Sequence, residues 1–138
     1  MLELEYEAAG CRVDYQPADD LKPVEVDALQ IQLVLLNLLS NAVQSIAHSG
    51  IAAGEITVTA FMKDDLVQVS IADNGPGVPP GCVAQIFEPL YSQKAGGMGM
   101  GLSVCHDIIE LHGGRLWYES NPAGGAIFRF TLRTCGYE

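Results

Sequence analysis

Residues 73–102 read DNGPGVPPGCVAQIFEPLYSQKAGGMGMGL, where one glycine pair, Gly75 and Gly77, and a second cluster, Gly96, Gly97, Gly99 and Gly101, bracket a segment of little regular periodicity. Glycine loses more chain entropy on folding than any other residue, so such clustering needs a reason: a positive φ, or a backbone that must come close to a bound group. A phosphate held by bare N–H groups at a helix start meets both descriptions. Beyond the second cluster, Leu102, Val104, Cys105, Ile108, Ile109 and Leu111 follow helical spacing from Gly101, and His112-Gly113-Gly114 closes it. That helix starts inside the glycines, with its N-terminal donors free. Between the clusters, Val83 to Phe87 suggests one helical turn anchored by Phe87, and Glu88 to Met98 reads as a mobile lid. Lys94 in that lid is either a solvated lysine or a phosphate contact, one of only seven basic residues in the chain.

Upstream, Glu55 to Met62 and Leu66 to Ala72 read as two strands joined by a hairpin at Lys63-Asp64-Asp65. The second strand delivers Asp73 directly onto Asn74-Gly75-Pro76-Gly77. Two readings stand for this carboxylate. It makes an ordinary Asx turn, or it accepts a hydrogen bond from an exocyclic amine such as that of adenine, with Gly75 and Gly77 keeping side chains off the ring.

A long helix is expected from an N-cap at Asp27 to about His48. Its apolar positions, Ile31, Val34, Leu35, Leu38, Leu39, Ala42, Val43 and Ile46, cover most of its circumference, which predicts a well-buried helix. The remaining stripe, Asn37, Ser40, Asn41, Gln44, Ser45 and His48, shares one face. It is either a solvated face or the lining of a cavity. Solvated helix faces carry mostly Lys, Glu and Arg, whereas Asn and Ser are poorer helix formers. An asparagine carbonyl suits a hard cation such as Mg²⁺.

Toward the termini, Cys11 to Gln16 alternates as a short strand, residues 17–23 form a loop, and Val24 to Val26 is a further short strand. Residues 2–7 alternate apolar with Glu, which suits a strand or a short helix ended by Gly10. Arg115 to Glu119 and Ala126 to Thr134 alternate as two strands joined by Ser120-Asn121-Pro122-Ala123-Gly124-Gly125.

The 138 residues suit one domain with a real core, and the 49% hydrophobic content argues against disorder. A net charge of −10 disfavours nucleic acid or an anionic membrane as direct partner, so an anionic ligand needs a cation or specific donors. The longest apolar run, Ile31 to Leu39, is broken by Gln32 and Asn37 and is expected to fall short of a membrane span, and Met1 is followed by acidic residues unlike a signal peptide. Cys11, Cys82, Cys105 and Cys135 lack metal or disulfide spacing and read as reduced structural thiols, Cys105 as a small core residue. His106 and His112 are six apart, not the four of a helical metal pair, so surface or capping roles are expected.

Four segments stand in order: NLLSNAVQS (37–45), DNGPG (73–77), IFEPLYS (86–92) and GGMGMGL (96–102). Together they resemble the N box, first glycine box, F box and second glycine box of the ATP-binding catalytic domain of bacterial two-component sensor histidine kinases, within the wider GHKL superfamily. The resemblance covers nearly the whole chain, 1–138, as a single domain. It implies an α/β fold, the two-layer Bergerat sandwich, with a mixed, mainly antiparallel sheet, helices on one face and a mobile ATP lid. It implies ATP and Mg²⁺ as cofactors. Asn41 matches the metal-coordinating asparagine, Asn37 its companion facing the nucleotide, and Asp73 the carboxylate that reads the adenine amine. Gly75 and Gly77 match the glycines beside the base. Gly97, Gly99 and Gly101, followed by Leu102, match the lid's end and the helix entrance, Phe87 the F-box aromatic, and Lys94 the lid lysine.

The chain departs from the family where many members carry a lysine after the N-box asparagine: Gln44 and Ser45 stand there. Met98 and Met100 replace commoner Thr and Leu. Related hydrolytic ATPases place a glutamate one turn before the metal asparagine as general base. Asn37 occupies that position here and cannot take a proton, so slow hydrolysis is expected. Asn37, Asn41 and Lys94 are thus the residues that the resemblance assigns to phosphoryl transfer, which needs mainly positioning and charge neutralisation. The family's acceptor histidine belongs to a separate dimerisation domain within an acidic-His-basic motif, and none of His48, His106 or His112 sits in one. The implied partners are that dimerisation and phosphoacceptor domain, upstream in a full-length kinase, and a response regulator. The implied location is cytoplasmic, free or as the cytoplasmic part of a membrane-anchored sensor. Two alternatives share the fold: an anti-sigma-type serine kinase, and a non-enzymatic ATP-gated interaction module.

Overall fold

The structure, a computed structural model, describes residues 11–50, 53–88 and 99–135. The expectations for residues 2–7, for Lys94 and Gly97, and for most of the lid lie outside these.

Five strands, β1 (Cys11–Pro17), β2 (Gly54–Lys63), β3 (Leu66–Asp73), β4 (Leu116–Ser120) and β5 (Ala126–Arg133), form one sheet in the order β1-β2-β3-β5-β4. Only β1 and β2 pair in parallel. A parallel neighbour requires a crossover, and the long helix α1 (Ala28–Ser49) supplies it. Antiparallel β2 and β3 turn at Asp64 and Asp65, with Asp64 at φ 56°, a conformation that aspartate tolerates better than most side chains. The connection from β3 passes through a 3₁₀ helix at Pro80–Gln85 and α2 (Gly99–Leu111) before β4. The β4–β5 hairpin then inserts β5 against β3. The segment around Val24, expected to be a strand, makes a single bridge to Thr134. Its neighbour Pro23 has no N–H to give a ladder.

α1 begins as the sequence dictates: the Asp27 side chain accepts from the Gln30 N–H at 3.2 Å, and Gly50 in the left-handed region ends it. Ile31, Val34, Leu38, Leu39, Ala42 and Ile46 are buried over the sheet, where they meet Ile56, Ile71, Phe128 and Phe130. Each of these side chains except the smaller Ala42 contributes roughly 1.5–3 kcal/mol by leaving water. Cys105 lies in this core. The eight apolar positions expected to bury α1 are buried or, at Leu35 and Val43, half-buried, but the helix is less covered than expected because Leu29, Leu33 and Leu36 are exposed. The expectation that no apolar run reaches membrane-span length is also corrected, since Ala28–Ala47 is long and apolar enough by composition. The many Leu, Ile, Val and Ala residues outweigh its glutamines and asparagines in mean hydropathy, and here the helix packs on the sheet instead.

α2 starts at Gly99, two residues before the spacing predicted, and lies beside α1. The Cys105 thiol is 3.8 Å from the Val34 carbonyl oxygen. At its C-terminus His112 acts as a cap: Nδ1–H donates to the Ile108 carbonyl at 2.8 Å while Nε2 accepts the Asp27 N–H at 3.0 Å. One neutral imidazole thereby joins the end of α2 to the start of α1, so the two helices run antiparallel.

Candidate nucleotide site

Asp73 ends β3 with only 4% of its surface exposed. Both of its side-chain hydrogen bonds fall on one oxygen: Oδ1 accepts the Gly75 N–H at 2.8 Å and the Ala126 N–H at 3.3 Å. Among the described residues nothing engages Oδ2. Burial pushes the carboxyl's pKa up, and the two N–H bonds pull it back only partly. The Asx turn therefore exists, and it does not exhaust the carboxylate. The turn fixes one oxygen so that the other remains available as an acceptor.

Three elements hold this geometry. Asn74 staples the turn to β2, accepting the Glu55 N–H at 2.8 Å and donating to the Ala53 carbonyl at 3.0 Å. From the β4–β5 hairpin, Asn121 donates its side-chain N–H to the Asp73 carbonyl at 3.1 Å. In the same hairpin Gly125 has φ +106°, and a Cβ there would overlap the Asp73 carbonyl oxygen and sit 2.9 Å from Oδ1. Tyr118 Oη accepts the Val78 N–H at 3.3 Å, tying the proline-rich segment to β4.

Gly75 meets α1. A Cβ at that position would stand 2.9 Å from Ser45 Oγ and 3.5 Å from Ile46 Cγ1. The structure thus adds a second reason for a glycine that the sequence explained only by closeness to a ring. The turn presses on the helix one turn beyond Asn41. The turn that carries Asp73 thereby meets the polar stripe of α1 at Ser45, although Asp73 and Asn41 are 32 residues apart in sequence. Gly77, at φ +79°, completes the turn.

Asn37, Ser40, Asn41, Gln44 and Ser45 are all half-buried, unlike the exposed Leu29 a few residues earlier. Asn37 also reaches α2, where its side chain hydrogen-bonds the Cys105 thiol. Burial pushes that thiol up to about 12 despite the bond. Phe87 anchors the end of the 3₁₀ segment, its ring edge-on to Phe128 at 6.2 Å and 5.5 Å from the His106 ring. Leu102 is buried, and Gly99 and Gly101 lie in the first turn of α2. Among the described residues no group of three His, Cys, Asp or Glu could hold a metal by itself. A cation here would depend on an amide oxygen such as that of Asn41 together with a ligand's own oxygens, the usual habit of Mg²⁺.

Sequence reasoning missed Asn74, Asn121, Tyr118 and Gly125. The Gly124-Gly125 pair was visible, but it read as a hairpin turn alone; nothing in the linear pattern put it against Asp73, 52 residues away.

The family described as histidine kinase-, DNA gyrase B-, and HSP90-like ATPase matches residues 26–135, and the chain belongs to it. The chain is 43% identical over 122 residues to the sensor protein FixL of Bradyrhizobium diazoefficiens, covering 88% of this chain and 23% of that protein. It thus spans less than a quarter of that curated relative. The catalytic domain of histidine kinase ThkA superposes with a TM-score of 0.83 at 31% identity, over 96% of this chain and 85% of that one. ThkA in complex with the response regulator protein TrrA aligns at 0.76 and 29% identity, over 96% and 37%. The five-stranded, mainly antiparallel sheet with helices is therefore the fold of histidine kinase catalytic domains.

Proposed function

We propose that residues 1–138 form one catalytic domain of a sensor histidine kinase, which binds ATP with Mg²⁺ and passes the γ-phosphate to a histidine on a dimerisation domain outside this chain. The observation that supports the proposal is the contact of the Asp73–Gly75 turn with α1 at Ser45, one helical turn beyond Asn41. Asp73 Oδ2 accepts the adenine amine and orients the base. The Asn41 amide oxygen holds the cation, and Asn37 faces the phosphates while engaging Cys105. When bound, Mg²⁺ supplies charge neutralisation on the phosphate oxygens. Gly99 and Gly101 present the α2 N-terminus to the same anion, with Lys94 and Gly97 as the lid's contribution.

Transfer forms a bond from the acceptor imidazole nitrogen to the γ-phosphorus and breaks the bond to the bridging oxygen, which leaves on ADP with its electron pair. The chain's share is positioning, and no carboxylate stands at position 37 to activate water. A response regulator takes the phosphoryl group next, in keeping with the ThkA–TrrA assembly. The domain works in the cytoplasm, where ATP is available.

The test is incubation with γ-labelled ATP and Mg²⁺, together with a dimerisation domain bearing the acceptor histidine or, in parallel, an anti-anti-sigma protein. Acid-labile label on the first supports the proposal. Acid-stable label on the second supports the serine-kinase alternative, and ATP binding with no transfer to either supports the interaction module.

A further inference from the structure

The exposed side of the helical layer has a feature that nucleotide binding does not use. Leu29, Leu33 and Leu36 stand on one face of α1 at 4-3 spacing and are 78%, 45% and 46% exposed. On α2, Val104 and Leu111, seven residues apart, are 39% and 82% exposed. Each immediately precedes a residue that touches α1, Cys105 at Val34 and His112 at Asp27. The five apolar side chains therefore lie on the outer side of the two antiparallel helices, away from the sheet. Seven-residue and 4-3 spacing is the pattern by which one helix receives another. A solvated face does not account for it, because α1 carries no charged residue over 22 positions.

Charge selects the occupant. Neither helix has a Lys or Arg, and the surroundings are acidic: Glu25 and Asp27 at the start of α1, Asp107 and Glu110 on α2. His106 pairs with Glu110 at 3.4 Å, and Arg133 packs beside Gly113, past the end of α2. A second copy of this chain would bring the same acidic rim, and an anionic membrane would be repelled. The phosphoacceptor helix is also excluded. On a helical projection the leucines are centred about 110° around from the Asn37–Asn41–Ser45 stripe, and Leu29 is about 18 Å along the axis from Asn41.

We infer that the outer face of the α1–α2 layer docks a helix of a separate partner protein, an amphipathic helix with a Leu/Ile/Val stripe flanked by lysine or arginine. Helix-in-groove recognition of this kind takes its affinity from the apolar anchors and its selectivity from the flanks.

The probe is a 21-residue helical peptide with leucine at the heptad a and d positions and lysine at e and g, against its twin with glutamate at e and g. Fluorescence anisotropy with the 138-residue chain is expected to show at least about tenfold tighter binding of the lysine peptide. Leu29→Gln and Leu111→Gln, both at exposed positions that leave the core intact, are each expected to weaken it about tenfold or more while ATP affinity stays unchanged. Equal affinity for both peptides, binding undiminished by the variants, competition between peptide and ATP, or no binding of either peptide would overturn the inference. So would self-association in sedimentation that Leu29→Gln abolishes, since it makes a second copy the occupant.

Discussion

Asp73→Asn separates recognition from stability at one atom. The replacement keeps the shape and one carbonyl oxygen, and that oxygen is already claimed, because the Gly75 and Ala126 N–H groups both point at the Oδ1 position. The amide NH₂ must then occupy the Oδ2 position and face the adenine amine donor to donor. A hydrogen bond to a charged acceptor contributes about 1.5–3 kcal/mol net, so ATP affinity should fall about 10- to 150-fold. Inosine triphosphate, which carries a carbonyl where adenine has the amine, should bind the variant better than ATP does, inverting the wild-type preference.

Stability should move the other way. Asp73's carboxyl titrates near 3.8 unfolded and higher folded, so between the two values the native state holds the extra proton. Its stabilising contribution is complete below the unfolded value and is lost as pH rises through the folded one. At neutral pH the fold bears a desolvated charge that asparagine removes. The ligand-free variant should therefore melt at or above the wild-type temperature, with a weaker decline in stability from acid toward neutral pH. Titration calorimetry with the two nucleotides and thermal melts across pH measure all of this. ATP affinity unchanged within twofold, or a loss of affinity accompanied by a lower melting temperature, would refute the assignment of Oδ2 as the base-reading atom.

Asn41→Ala should make ATP binding indifferent to Mg²⁺, so that affinities measured with the metal and with EDTA converge. Gly125→Ala forces a side chain against the Asp73 carbonyl at φ +106° and should cost on the order of 2–3 kcal/mol in urea unfolding, with ATP affinity falling alongside. The Cys105 thiol, pushed to about 12 from an ordinary 9.0, holds about a thousandfold less thiolate near neutral pH. In native chain it should resist a thiol-specific reagent that labels exposed Cys135 at once, and it should react only after denaturation. Labelling of Cys105 at the rate of Cys135 would contradict its placement under α1.

Local chemistry wrote much of this fold into the sequence. Asp27 as N-cap, Gly50 as left-handed stop, the Asp64-Asp65 turn and the alternation of β2, β3 and β5 each follow from forces acting within a few residues, so each was legible there. The asparagine stripe and the glycine-rich turn were equally legible as separate features, and the order of four motifs was enough to suggest one nucleotide between them. What the linear pattern could not contain was contact between distant segments. The parallel pairing of β1 with β2, the insertion of β5 beside β3, and the approach of Gly75 to Ser45 all depend on how whole layers pack. Burial is likewise a tertiary property. The same helical periodicity that put Leu38 in the core left Leu29 in water, because only one side of α1 finds the sheet. For Asp73 the sequence determined a carboxylate at a strand end. Tertiary structure decided which of its oxygens is held, since Ala126 and Gly125 reach it from a hairpin some fifty residues on, and that leaves the other oxygen unengaged among the described residues.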